Sequence, residues 1–310
     1  MPSTLDHLRS HSVVVADTAD IEAIRQHSPV DATTNPSLVL KQASQPSMQD
    51  HILATRERLH RGELGSLSEA ATDLAVQLGA EIAAVIPGYV STEVDARLSF
   101  NTEASVEQAH GILERYAKLG VPASRILIKL AATWEGLEAC RILEAEGIGC
   151  NLTLVFAEEQ AIVAAAAKAT LISPFVGRIY DWYVARGETP ADASVDPGVL
   201  SVQRIHWLYR SHGIATIVMG ASFRTADQVL ALAGCDRLTI SPSILEELDG
   251  RHTPVHPLET PPRLASPMPV LDRDQFLLRM AANPMATEKL ADGINRFVND
   301  QIALEALIQG

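Results

Sequence analysis

Eight short apolar runs, rich in β-branched residues, recur along this chain with helix-patterned stretches between them. That alternation restricts the fold more than any other feature. The runs are Val13–Asp17, Ala32–Asn35, Tyr89–Val94, Arg125–Leu130, Cys150–Phe156, Leu171–Phe175, Thr216–Phe223 and Arg237–Pro242. Runs this short read as strands buried on both faces, and helical crossovers between consecutive strands make them parallel. A chain of 310 residues has room for one closed (β/α)8 TIM barrel. A doubly wound open sheet is the alternative, but no GxGxxG follows the first run, which leaves its dinucleotide-binding form without support.

The intervening stretches carry the 3.6-residue period. Ala71, Leu74, Leu78 and Ile82 fall on one helical face, and Ser66 and Glu69 stand at capping-box spacing just upstream. Val106, Ala109, Leu113 and Tyr116 make a second stripe. Leu137, Ile142 and Leu143 help form a third that ends at Gly147, and Gln160–Ala169 reads as a packed alanine-rich helix. The shortest crossover still fits a helix over Ile21–His27. Thr253–Val270 holds six prolines, so it is predicted to run extended on the surface towards additional C-terminal helices that begin near Arg273. With no repeat and no second set of strands, residues 1–310 are expected to form a single α/β domain.

Hydrophobic residues make up 47% of the chain, enough for a large core, and the formal net charge is −13. A field of that sign argues against nucleic acid and anionic membrane as partners, while leaving room for a small anionic ligand met by a few arginines in a cleft. Cys140, Cys150 and Cys235 are odd in number and lack CxxC spacing, so neither a disulfide framework nor a zinc site is expected. The N-terminal segment lacks the apolar core of a signal peptide and no segment is long enough to span a bilayer, so a cytoplasmic protein is predicted.

Polar groups interrupt these strands near their C-terminal ends, where buried charge is costly unless paired or used. Asp17 ends the first run. Thr33 and Asn35 lie in the second, and Ser91, Glu93 and Asp95 share one face of the third. Lys129 sits within Arg125–Leu130, Asn151 and Thr153 share a face of the fifth, Ser173 precedes Gly177 and Arg178, and Ser222 precedes Arg224. In a barrel all these ends meet at one mouth. Each residue also has an ordinary reading: Lys129 as a lysine snorkelling to solvent, Asp17 as the cap of the helix at Ile21, Glu93 or Asp95 as partner of Arg97, Arg178 as a solvated charge. Those readings would have to hold at seven strand ends together. Lys129, flanked by Leu127, Ile128 and Leu130, instead suits an amine whose charge is disfavoured by burial and which attacks a carbonyl to form an imine.

The stretches VVVADTADIEAI, DATTNPSLVLKQA, VSTEVDARLSF, RILIKLAATWEG, GIGCNLTLVF, LISPFVGRIYDWY, VMGASFR, AGCDRLTISP and NPMATEKLADGI resemble transaldolases of the longer bacterial and eukaryotic type over almost the whole chain. The resemblance implies an α/β-barrel transferase of the non-oxidative pentose phosphate pathway, with no metal or organic cofactor, commonly a homodimer, acting on phosphorylated sugars. It implies movement of a dihydroxyacetone unit from sedoheptulose 7-phosphate or fructose 6-phosphate to glyceraldehyde 3-phosphate or erythrose 4-phosphate. By motif match Lys129 forms the Schiff base, Asp17 is the base for carbon–carbon cleavage, and Glu93 relays protons through a water held by Thr153. Asn35, Asn151 and Ser173 match positions that bind the three-carbon unit, with Thr33 and Ser91 beside them. Arg178, Ser222 and Arg224 match phosphate ligands, and Phe175 shapes the pocket. The chain departs from the pattern in a shorter segment between Lys41 and Leu67, Tyr89 in place of arginine, Ala157 in place of serine and a shortened Thr189–Val195. Smaller superfamily members that release free dihydroxyacetone generally place a tyrosine where Glu93 stands.

Overall fold

In a computed structural model that describes residues 2–259 and 261–310, the eight runs form eight parallel strands closed in sequence order. They are β1 (Val13–Asp17), β2 (Asp31–Thr33), β3 (Val90–Glu93), β4 (Ile126–Ala131), β5 (Cys150–Val155), β6 (Leu171–Pro174), β7 (Ile217–Gly220) and β8 (Arg237–Ile240). Pairing runs from β1 round to β8 and back to β1. Several strands stop short of the predicted runs at their C-terminal ends. Asn35 leaves the ladder to cap the helix Pro36–Ala43, its Oδ1 accepting from Leu38 N at 2.9 Å, and Ser222 turns out of β7 in the left-handed region at φ 62°. The apolar content that drew those runs continues past the point where the backbone turns into the mouth.

The expected helices form where the periodicity places them. Ile21–His27 is helical, as are Leu67–Ala83, Thr102–Lys118 and Trp134–Ala145; the faces of the last two pack on the barrel core, while Ala71, Leu74 and Leu78 pack with Val39, Ile52 and Leu304 in a second cluster and Ile82 alone of that stripe joins the barrel core. Ser66 caps the first of these three as predicted, its Oγ accepting from Glu69 N, but the Glu69 carboxylate bonds Gly65 N at 2.7 Å and so completes no box. Helices at Gln49–His60 and Thr4–Arg9 add to the pattern. Within Thr253–Val270 the described residues form no helix or strand; Thr260 lies outside the described residues. The C-terminal pair, Arg273–Ala281 and Pro284–Gln309, follows as expected, and the longer helix crosses to the mouth, where its Asp300 accepts a hydrogen bond from Ser37.

The barrel interior is built in layers from alternate strands, as parallel barrels are. Stepping two strands round displaces a layer by two residues, the offset that strand tilt requires. The registers Thr33↔Ser91, Ser91↔Leu127, Lys129↔Asn151, Asn151↔Leu171, Met219↔Arg237, Val15↔Thr239 and Val15↔Asp31 then set Thr33, Lys129, Ser173 and Thr239 in one layer. Below them lie Ser91 and Asn151 with Val15 and Met219, and further down Leu127 and Leu171. Above them the same count sets Asp17, Glu93 and Thr153, with Ala221 just past β7. At the opposite end Arg237 pairs with Asp31 and stands 5.3 Å from the Tyr89 ring centroid, closing the base of the barrel.

The helix after β4 starts against the strand that carries Lys129. Thr133 Oγ1 accepts from Gly136 N at 2.9 Å, and a Cβ on Gly136 would stand 2.0 Å from the backbone oxygen of Ala131. That oxygen cannot swing aside as a side-chain end can. Gly136→Ala is therefore expected to lower stability by about 1–3 kcal/mol by overpacking, despite the roughly 1 kcal/mol that alanine gains in a helix. Urea unfolding midpoints check this.

Candidate active site

Every strand-end residue singled out in the sequence sits in or just beneath the mouth, but not all face the same space. One cleft of about 180 Å³ is lined by Asp17, Thr33, Asn35, Lys129, Thr153, Ser173, Phe175, Arg178 and Ser222, together with Thr239 and Arg296. Ser91 and Asn151 lie under it in the next layer down. Asn151 Nδ2 donates to Ser91 Oγ at 3.0 Å and Asn151 Oδ1 accepts from Ser173 Oγ at 2.6 Å, so the amide holds Ser173 from below. Arg224 lines the adjoining groove, which shares Asp17 and Ser222 with the cleft, and its guanidinium pairs with Asp181 at 2.7 Å.

The ordinary readings fail at the residues that matter most. Lys129 does not snorkel: it is 4% exposed, with Nζ 3.0 Å from the Thr34 carbonyl oxygen and 3.1 Å from Glu93 Oε2. The pair is close enough for strong attraction, although the carboxylate oxygen lies off the line of a hydrogen bond. Glu93 therefore pairs with Lys129 and not with Arg97. Arg97 is taken by Asp95 and by Glu305 of the C-terminal helix, each at 2.5 Å, so Asp95 does structural work. The cap at Ile21 is Asp20, which accepts from Glu22 N at 3.0 Å, and Asp17 is free of that duty.

Burial sets the electrostatics. The Asp17 and Glu93 carboxyls are both pushed above the ordinary carboxylate range because desolvation penalises their charged forms; nearby Lys129 opposes this only in part. Thr33 Oγ1 donates to Asp17 Oδ1 at 3.2 Å, which also opposes it. Thr153 does not neighbour Glu93 along the sheet, because β4 lies between their strands. They meet in one layer only through the barrel's tilt, and among the described residues Thr153 Oγ1 has no hydrogen-bond partner.

The cationic wall of the cleft contains a residue that the strand survey missed. Arg178 is held 5.0 Å from the Phe175 ring centroid and 5.3 Å from that of Phe297, and its buried Nη1 has no hydrogen-bond partner among the described residues. Desolvation first, and the like charge of Arg296 second, push the Arg178 guanidinium down to about 10. Arg296 reaches the cleft from the C-terminal helix. Its Asp292 partner at 3.5 Å and its half-exposed position make it look like surface charge in the sequence. The Ser222 turn is built for close approach: its carbonyl oxygen accepts from Gly177 N at 2.8 Å, and a Cβ on Gly177 would stand 2.2 Å from that oxygen.

Among the described residues, one group offers three metal-type ligands, Cys140, Glu144 and Cys150, at the far end of β5 from the mouth. There the Glu144 carboxylate already accepts from the backbone N–H groups of Cys150 and Thr170 and from the Thr170 hydroxyl.

Fold and mouth together define the class, a (β/α)8-barrel enzyme with an amine where the strands converge. The family model for Transaldolase/Fructose-6-phosphate aldolase matches residues 14–308. The chain is 49% identical over 314 residues to a transaldolase of Pseudoalteromonas atlantica, spanning 100% of this chain and 99% of that one. It is 48% identical over 314 residues to a transaldolase of Agrobacterium fabrum, spanning 100% and 98%. The chain belongs to the Transaldolase/Fructose-6-phosphate aldolase family.

Two guanidiniums facing one cleft repel each other until an anion joins them. Arg296→Ala is expected to raise KM for a phosphorylated donor roughly 10- to 100-fold, the worth of one charge-assisted hydrogen bond, with a smaller change in kcat. Initial-rate kinetics with fructose 6-phosphate check this.

Proposed function

We propose that the protein is a transaldolase that moves a dihydroxyacetone unit from sedoheptulose 7-phosphate or fructose 6-phosphate to glyceraldehyde 3-phosphate or erythrose 4-phosphate through a Schiff base on Lys129. The buried Lys129–Glu93 pair carries this reading. An ammonium is no nucleophile, and Glu93, whose affinity for a proton is raised by burial, is placed to take the proton that Lys129 must lose.

Neutral Lys129 attacks the donor ketone, water leaves, and the iminium withdraws electrons from the adjacent carbon–carbon bond. Asp17 takes the proton of the hydroxyl on the carbon that becomes the aldehyde. The bond breaks, the first aldehyde departs, and the enamine stays on Lys129 until the acceptor aldehyde adds to it by the reverse steps. Glu93 relays protons for imine formation through a water held by Thr153, whose hydroxyl has no hydrogen-bond partner among the described residues, which supports that role. Asn35 presents its amide N–H groups, since its oxygen caps a helix, and Ser173 presents its hydroxyl to the three-carbon unit. Thr33 orients Asp17. Asn151 and Ser91 act from below by fixing Ser173. Phe175 packs the Arg178 guanidinium, which with Ser222 receives the phosphate. Arg224 takes the part of the substrate that extends into the adjoining groove.

We also propose a single-domain protein acting as a homodimer in the cytoplasm. Three free, buried cysteines agree with a reducing compartment, and the strongly exposed Phe100 and Leu278 agree with a partner surface. No helix among the described residues is long and apolar enough to cross a membrane.

A coupled assay with fructose 6-phosphate tests the function. Turnover is expected only when erythrose 4-phosphate is supplied as acceptor; equal turnover without it would make the protein an aldolase. Because burial raises Asp17, kcat/KM is expected to fall as pH drops through a value above the ordinary carboxylate range; an acid limb near ~4 would contradict this. Asp17→Ala is expected to spare imine formation while cutting transfer by roughly 10²–10⁴-fold, the usual worth of a general base. Single-turnover measurements separate the two steps.

A further inference from the structure

Thr239 is the fourth member of the layer that holds Thr33, Lys129 and Ser173, and it is the one to which the sequence assigned no role, although it lies within AGCDRLTISP. It is buried, it lines the cleft, and its Oγ1 lies 2.8 Å from Thr33 Oγ1. Thr33 Oγ1 in turn lies 3.2 Å from Asp17 Oδ1.

A hydroxyl has one proton to give. An ionised carboxylate can only accept, so whenever Asp17 is charged the Thr33 proton belongs to Asp17. The contact between Thr33 and Thr239 then has one possible direction: Thr239 donates and Thr33 accepts. We propose that Thr239 is a positioning residue for the reaction, the head of a chain Thr239 Oγ1–H to Thr33 Oγ1–H to Asp17 Oδ1 that holds the base ionised and aimed before the substrate arrives. The chain is cooperative, because a hydroxyl that accepts a hydrogen bond becomes a better donor. When Asp17 gains the substrate's proton, both hydroxyls rotate and the chain runs the other way, with no heavy atom moving. No covalent bond changes within it.

Buried hydroxyl pairs in barrel interiors also serve packing alone, and Thr239 touches none of the reacting atoms. The two roles differ in what they move. A packing role affects stability and all steps alike. The relay affects the ionisation of Asp17 and the cleavage step and makes no direct contact with Lys129, whose Nζ is set against Thr34 and Glu93; Lys129 and Arg178 are the charges that face Asp17, and both variants leave them in place. The proposal rests on Asp17 acting as the base, and that reading has its own test in Asp17→Ala.

The test compares Thr239→Val, which keeps the shape and removes the hydroxyl, with Thr239→Ser, which keeps the hydroxyl and removes the methyl. In Thr239→Val the weakened bond to Asp17 favours its neutral form. The acid limb of kcat/KM is expected to move up by ~0.5 pH unit and kcat to fall roughly 3- to 10-fold, while the rate of borohydride-trappable imine formation and the KM for fructose 6-phosphate stay near wild type. Thr239→Ser is expected to restore the wild-type acid limb. An unmoved acid limb in a folded Thr239→Val variant would overturn the proposal. So would an equal loss in Val and Ser variants, or a parallel loss of imine formation. If Asp17→Ala keeps transfer activity, the role of Asp17 as base fails and the Thr239 proposal falls with it; if Asp17→Ala loses transfer but the acid limb of Thr239→Val does not move, the relay alone is overturned.

Discussion

The burial of one ammonium against one carboxylate organises the mouth of this barrel. Lys129 and Glu93 stand 3.1 Å apart on neighbouring strands, both removed from water, and each would be costly alone. A pair so placed does not settle the charge state once and for all. Burial raises the carboxyl's hold on a proton, and its position 3.1 Å from the amine makes Glu93 the nearest acceptor for one in the proposed imine chemistry. The barrel supplies the geometry by register: Lys129 is aligned with Glu93 on one side and Asn151 on the other, and shares its layer with Thr33, Ser173 and Thr239.

Two successive layers divide the labour. The lower one holds the amine and hydroxyls, braced from beneath by the Ser91–Asn151–Ser173 hydrogen bonds. By strand register the upper one holds the carboxylates Asp17 and Glu93 with the hydroxyl of Thr153, of which Asp17 and Thr153 line the cleft. Over them the C-terminal helix brings Arg296, backs Arg178 with Phe297, and ties itself to the segments that follow β3 and β2 through Glu305 to Arg97 and Asp300 to Ser37. Gly293 lets that helix approach, since a Cβ there would stand 2.7 Å from Leu154 and 2.9 Å from Arg178. An acidic chain thus sets two guanidiniums, Arg178 and Arg296, along one wall of the cleft.

Much of this was legible in the sequence, for a physical reason. Strands buried on both faces are uniformly apolar, so a lysine in Arg125–Leu130 or a carboxylate at Asp17 and Glu93 stands out. What stayed hidden is equally physical. Thr239 is an ordinary strand residue, and only its distance to Thr33 gives it a part. Arg296 lies on a helix one turn from Asp292 and reads as a surface ion pair until the helix is seen crossing the mouth. Glu93 and Thr153, paired in the sequence by motif alone, share a layer by tilt across an intervening strand and not by adjacency. Asn35 reads as the end of an apolar run, yet Asn followed by Pro36 is itself a helix-start signal, and the structure uses it so, with the side-chain oxygen capping Pro36–Ala43 and the residue lining the cleft.

The central claim is that Lys129 becomes covalently joined to the donor. Borohydride reduction in the presence of fructose 6-phosphate, followed by peptide mapping of the protein, measures this directly. A reduced three-carbon adduct on the peptide carrying Lys129, absent from Lys129→Ala, is the predicted result. No adduct, or an adduct mapped to another lysine, would contradict the account.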